Sequence, residues 1–125
     1  MVRLSNMLFV CAIALSASEL TGKWQGTSES TNPDGQPQRH TTYLVLKAED
    51  NGLVTGTAGS DARQQTPIRN GKLQQDRITF EVPLQGGGQI AFSLTFDGTC
   101  LRGTGTVTYE NGQTITGRLQ LSRVD

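Results

Sequence analysis

Apolar and polar residues alternate along most of the chain from Leu20 onward. Clear examples are Tyr43–Leu46, Ile78–Val82, Phe92–Phe96 and Ile115–Leu121. A period of two residues places successive side chains on opposite faces of a β-strand. Since no stretch with helical spacing behind an N-cap follows residue 18, the pattern predicts an all-β fold with almost no helix.

Turn signals separate the apolar runs. They are four Asx-Gly dipeptides, which tolerate the positive φ of tight hairpins, together with the triple glycine 86–88 and polar connections at 59–65 and 74–77. The dipeptides are Asp34-Gly35, Asn51-Gly52, Asp97-Gly98 and Asn111-Gly112. Such short connections join antiparallel neighbours, so seven turns predict eight strands. We place the strands near residues 20–30, 38–48, 53–58, 66–73, 78–84, 89–96, 100–109 and 113–123.

These strands form an up-and-down meander in which each strand carries one apolar face. A meander of about eight strands buries that face by closing into a barrel or by folding into two layers, and closure also removes exposed sheet edges. We therefore predict an antiparallel barrel, with a bulge at Asn70-Gly71. Glycines 22, 56, 103 and 117 each follow an apolar residue by two positions and should face inward, which indicates tight strand coiling or a small cavity.

The N-terminal segment has the pattern of a secretory signal. Arg3 precedes the apolar run Met7–Leu15, and the small residues Ser16–Ser18 follow it. The run is too short to span a bilayer as a helix. We predict a signal peptide at residues 1–18 and a single barrel domain at 19–125, with an N-terminal core helix as the alternative. This predicts a secreted or periplasmic protein that does not associate with a membrane after cleavage.

Composition and charge exclude several classes of protein. Eleven basic residues balance eleven acidic ones, and only 18% of residues are charged, so neither a disordered chain nor a nucleic-acid reader with a basic face is expected. Removal of Cys11 with the signal would leave Cys100 without an intramolecular disulfide partner. We interpret Cys100 as a small strand residue near a turn, with an exposed thiol as the alternative.

The stretch Leu20-Thr-Gly-Lys-Trp-Gln-Gly26, followed by the meander, resembles the calycin superfamily of lipocalins and avidins. Over residues 20–125 the chain is more closely similar to small exported bacterial lipocalin-like domains of unknown function. The resemblance implies that Trp24 packs at the closed end of the barrel beneath Arg123, as a structural pair. Avidins bind biotin with several tryptophans, whereas this chain has one, so biotin binding is not expected.

The inward-facing residues are bulky enough to fill most of a small barrel, and a spacious lipid cavity is therefore not expected. The set is Trp24, Leu44, Leu46, Val54, Ala58, Ile68, Leu73, Ile78, Phe80, Val82, Phe92, Leu94, Phe96, Leu101, Val107, Tyr109, Ile115, Leu119 and Leu121. What remains is a shallow apolar cleft at the open end, where Phe80, Phe92 and Tyr109 are the candidate ligand-binding residues. A fully packed core is the alternative.

Catalytic and metal-binding patterns are poorly represented. His40 is the single histidine and is expected on a solvent-facing strand position, without the partners of a nucleophilic triad. Zinc would need more His or Cys residues, and Gly86–Gly88 lacks the context of a phosphate loop. Four aspartates are assigned to turns: Asp50, Asp61, Asp76 and Asp97. We expect no enzymatic activity, no cofactor and no metal ion.

Three classes of function are compatible with these patterns. The first is an exported, non-catalytic binding module for a small apolar or amphipathic ligand at the barrel mouth. The second is a structural or protein-interaction domain with a filled core. The third is a protease inhibitor built on a similar barrel. It is less well supported, because the first strand begins close to the predicted cleavage site and the disulfide of those inhibitors is missing.

Overall fold

The computed structural model describes residues 17–32 and 34–124. The predicted signal peptide 1–18 lies outside the described residues apart from its last two. These two residues begin a single helical turn, α1 (Ala17–Leu20). The first strand consequently starts at Gly22, two residues later than the sequence pattern predicts.

Strands account for most of the remaining chain, and almost no helix is present in the described part, as predicted. The strands are β1 (Gly22–Thr31), β2 (Pro37–Ala48), β3 (Leu53–Gly59), β4 (Gln65–Pro67), β5 (Arg69–Gln74), β6 (Arg77–Pro83), β7 (Gln89–Phe96), β8 (Cys100–Thr108) and β9 (Thr114–Val124). The predicted fourth strand is interrupted at Ile68, and its two halves, β4 and β5, both pair with β3. They occupy one position in the wall, which therefore has eight strand positions.

The strands form an antiparallel meander in which neighbours in sequence pair, except that β4 and β5 both pair with β3 and not with each other. The circle is closed by β9, which pairs with β1 from Arg118 opposite Glu29 to Val124 opposite Lys23. The prediction of a closed eight-stranded antiparallel barrel is thus confirmed. The predicted bulge is also present, because the β5–β6 register shifts between Arg69 and Lys72, around Asn70 with φ of 55°.

The closed end of the barrel is filled by apolar side chains. Fully buried residues there include Leu20, Trp24, Leu44, Leu46, Val54, Ile78, Leu94, Leu101 and Leu121. The Trp24 indole Nε1 donates a 2.9 Å hydrogen bond to the carbonyl of Leu20. The indole also makes a T-shaped contact with the Phe96 ring, with 6.3 Å between ring centroids. A buried indole N–H requires such a partner, and α1 supplies it.

Arg123 covers Trp24, as the calycin resemblance implies. Its guanidinium carbon lies 4.4 Å from the centre of the indole ring. The same guanidinium donates hydrogen bonds to the carbonyls of Thr21, at 3.1 Å, and Glu19. The last strand therefore fixes both the tryptophan and the end of α1.

Several inward glycines allow neighbouring strands to approach closely. A Cβ on Gly56 would lie 1.9 Å from the carbonyl oxygen of Val45, and one on Gly103 would lie 1.9 Å from that of Ser93. Tight coiling therefore explains these two glycines. Gly117 lies on the wall of an open cavity, and a Cβ there would also lie 2.9 Å from the carbonyl oxygen of Glu29 on β1.

Candidate ligand cavity at the open end

The end of the barrel opposite Trp24 holds a cavity of about 900 Å³. Its wall is formed by the far ends of β1 and β2, the β3–β4 connection, and the β6–β9 side of the barrel. Ligand pockets in proteins commonly enclose about 300–1,000 Å³, so the cavity is large enough for a small organic molecule.

One wall of the cavity is polar, and the strand pattern explains why. Alternate residues of a strand face the same side, so on β1 the cavity is lined beyond Trp24 by Ser28 and Ser30. On β2 it is lined by Thr42, His40 and Gln38. Ser28 lies opposite His40 in the β1–β2 ladder, and Ser30 lies opposite Gln38. The polar wall, defined by these five residues, is a continuous surface of two paired strands.

The opposite wall is apolar and comes from β6, β7, β8 and β9. It comprises Val82, Ile90, Phe92, Val107, Ile115 and Leu119. Phe92 is anchored by a stacked contact with Phe80, with 4.8 Å between ring centroids and 23° between planes. The cavity therefore presents a hydrogen-bonding side and an apolar side that face each other.

The structure brings two of the three candidate residues to this cavity. Phe92 and Tyr109 lie on its wall, and Tyr109 is 42% exposed at the rim. Phe80 was predicted to line the cleft, but its side chain is buried behind the stacked ring of Phe92. A ligand in the cavity would therefore contact Phe92 but not Phe80.

The cavity differs from the expected shallow apolar cleft, because it encloses about 900 Å³ and polar residues line one of its walls. Most of the fully buried bulky residues lie towards the closed end. At the open end, small and polar residues occupy the inward positions of β1 and β2, and they face the apolar wall. His40 is exposed, as expected, and it also lies at the mouth of the cavity. Extending the period-two pattern backward from Leu44 and forward from Trp24 is the sequence signal that identifies the polar wall.

The connection between β3 and β4 forms part of the rim and is held in place by hydrogen bonds. The Asp61 carboxylate accepts hydrogen bonds from the backbone N–H groups of Arg63, at 2.8 Å, and Gln64, at 2.9 Å. The Gln65 side chain donates to the carbonyl of Asp61 at 2.7 Å and accepts from the Thr57 hydroxyl at 2.6 Å. Arg63 is thereby presented at the cavity mouth on an ordered turn.

A second acidic turn lies at the other end of the barrel, between β7 and β8. Asp97 accepts hydrogen bonds from the backbone N–H groups of Cys100 and Thr99 and pairs with Arg102 at 2.8 Å. The two backbone N–H groups, more than the guanidinium, lower the pKa of Asp97 to about 2. This carboxylate has a turn-stabilising role, as the sequence predicts for Asp97.

Groups that could carry other chemistry are dispersed over the described part of the chain. Within residues 17–32 and 34–124, no three His, Cys, Asp or Glu residues are arranged to hold a metal ion. Cys100 is half-buried, with its Sγ 3.7 Å from the Ser122 hydroxyl. None of the helical structure in those two ranges is long and apolar enough to cross a membrane.

Fold and cavity define a closed eight-stranded antiparallel barrel with one filled and one open end. A solved structure with similar architecture is a protein of unknown function from the DUF3598 family of Nostoc punctiforme, with a TM-score of 0.52 and 14% sequence identity. The match covers 89% of this chain and 50% of the Nostoc protein, so the chain spans about half of that protein's length. No protein-family model matches the sequence, and neither does any curated protein.

Proposed function

We propose that the protein is an exported, non-catalytic, lipocalin-like module that binds a small amphipathic ligand in the open end of its barrel. The observation that carries the proposal is the cavity of about 900 Å³ with one polar and one apolar wall. Burial of apolar ligand surface against Phe92, Val107 and Leu119 supplies affinity. Hydrogen-bonding groups on the facing wall orient the ligand.

Lipocalin-like character is supported by the Gly22-Lys23-Trp24 motif and by the packing of Arg123 over Trp24. Export is supported by the apolar run Met7–Leu15 and the small residues that follow it. A domain with a completely filled core is less well supported, because the open end retains space for a ligand.

A cavity-filling variant tests the proposal. Val107 lies on the apolar wall and is partly exposed to the cavity, so Val107→Trp places an indole where the ligand would lie. We expect the affinity for the uncharged dye N-phenyl-1-naphthylamine, measured by its fluorescence, to fall at least about tenfold, while the barrel stays folded by circular dichroism.

The matched control is Val45→Trp, which adds the same side chain to β2 at a position between Lys23 and Thr57 on the outer face. It should leave dye affinity unchanged. Absence of saturable dye binding by the unmodified protein, or an equal loss in both variants, would refute binding in the barrel.

A further inference from the structure

The polar wall contains a buried hydroxyl that has no hydrogen-bond partner among the described residues. Thr42 is 9% exposed and lines the cavity, and it lies on β2 between His40 at the mouth and the buried Leu44. Its hydroxyl makes no hydrogen bond to any residue in the described part of the chain. A buried polar group without a partner costs free energy, so this hydroxyl is positioned to bind something that enters the cavity.

Two neighbours on the same wall offer further hydrogen-bonding capacity. The side chains of Ser30 and Gln38 line the cavity and make no hydrogen bonds within residues 17–32 and 34–124. Ser28, by contrast, donates to the carbonyl of His40 at 3.3 Å. Hydroxyl and amide side chains can both donate and accept hydrogen bonds. A ligand hydroxyl group also donates and accepts, so these side chains can satisfy it.

Charge is confined to the mouth of the cavity. Among the described lining residues there is no Asp or Glu, and Arg63 is the one Lys or Arg. Arg63 and His40 are both exposed, whereas the deeper wall around Thr42 is neutral. An ionised headgroup placed against Thr42 would lose its hydration without gaining a charged partner, and this is strongly unfavourable.

We infer that the cavity takes an uncharged, hydroxyl-rich headgroup of the saccharide class, carried on an apolar chain. The inference rests on the proposed function and names the ligand chemistry of that cavity. The sugar hydroxyls bind Thr42, Ser30 and Gln38, and the apolar chain lies against Phe92 and the rest of the apolar wall.

Amphiphiles that share an octyl chain and differ in headgroup test this inference. Octyl glucoside, octanoate and octyltrimethylammonium are each titrated, below the onset of micelles, against protein loaded with N-phenyl-1-naphthylamine, and free glucose is titrated in parallel. We expect octyl glucoside to displace the dye at concentrations at least about tenfold lower than the two charged amphiphiles need. Glucose alone should compete more weakly, because it lacks the apolar chain.

The outcomes separate the two proposals. Dye binding without preference for octyl glucoside, or with tighter binding of octanoate, overturns the uncharged-headgroup inference and leaves the proposed function standing. Glucose competing as well as octyl glucoside overturns the assignment of an apolar chain. A protein that does not bind the dye refutes the proposed function itself.

Thr42→Val removes the hydroxyl at nearly constant shape, and Thr104→Val makes the same change at an exposed position of β8. In Thr42→Val, we expect the affinity for octyl glucoside to fall about two- to tenfold, with octanoate affinity and the melting temperature not reduced. Thr104→Val should bind like the unmodified protein. Unchanged octyl glucoside affinity in Thr42→Val, or an equal loss in both variants, contradicts the role of Thr42.

Discussion

Arg123 joins the last strand to the first strand and to α1, so its replacement tests how the closed end is stabilised. In Arg123→Met the aliphatic stem is retained over Trp24, while the charge and the donors are lost. The variant removes the contact at 4.4 Å between the guanidinium and the indole centre, together with the hydrogen bonds to the carbonyls of Thr21 and Glu19.

The expected loss of stability follows from these contacts. A cation over an aromatic face contributes about 0.5 to 2 kcal/mol, with the larger values for desolvated pairs. Hydrogen bonds from a charged donor contribute about 1.5 to 3 kcal/mol, and less when the donor is exposed, as that of Arg123 is. We therefore expect Arg123→Met to lower the free energy of unfolding by about 2 to 3 kcal/mol.

Urea denaturation followed by the fluorescence of Trp24, the single tryptophan, measures this directly. The control is Arg118→Met on the same strand, where the arginine is exposed and lies opposite Glu29 and Thr104. We expect a change below about 0.5 kcal/mol for that variant. Equal stabilities of the two variants would refute the contribution assigned to the Arg123 contacts.

Two further predictions concern the barrel wall and one turn. Gly26→Ala should lower the free energy of unfolding by about 1 to 3 kcal/mol or more, because its Cβ would lie 1.8 Å from the Gln120 carbonyl oxygen. Gly35 has a φ of +84° and open space around it, so Gly35→Ala should lower the free energy of unfolding by about 1 kcal/mol. Urea denaturation that finds Gly26→Ala as stable as the unmodified protein contradicts the close approach of β1 and β9. Asp97→Asn should be less stable than the unmodified protein at pH 7. Since the pKa of Asp97 is lowered to about 2, this difference should shrink as the pH falls below about 4 and disappear as it falls through about 2. A difference that persists unchanged at the lowest pH would contradict the cause assigned to the shift.

Local sequence patterns predict most of the strands and turns of the barrel. Alternating apolar residues and Asx-Gly turns determine strands and connections within a few residues, and they were sufficient to predict closure. The sequence pattern does not predict the interruption at Ile68 or the helical turn before Gly22, because both depend on tertiary contacts. Leu20, for example, is held in α1 partly because its carbonyl accepts the Trp24 indole N–H.

The cavity was less predictable than the wall. Counting bulky inward residues over the whole chain gives enough volume to fill a barrel, but it does not show at which end they lie. Their position along the axis follows from strand register, which places Leu44 opposite Trp24 and leaves Ser30 opposite Gln38 at the other end. The period-two pattern identifies the polar inward positions of each strand. Register depends on long-range pairing, so only the fold shows that these positions form one wall.

The location of a bound amphiphile tests the central claim most directly. Backbone amide resonances of the ¹⁵N-labelled protein, followed during titration with octyl glucoside, would show which end of the barrel the ligand contacts. We predict saturable shifts at Thr42, Phe92 and Val107, with Trp24 and Leu121 unaffected. Shifts confined to the closed end or the outer face, or no saturable shifts, would contradict a ligand site in the open end of the barrel.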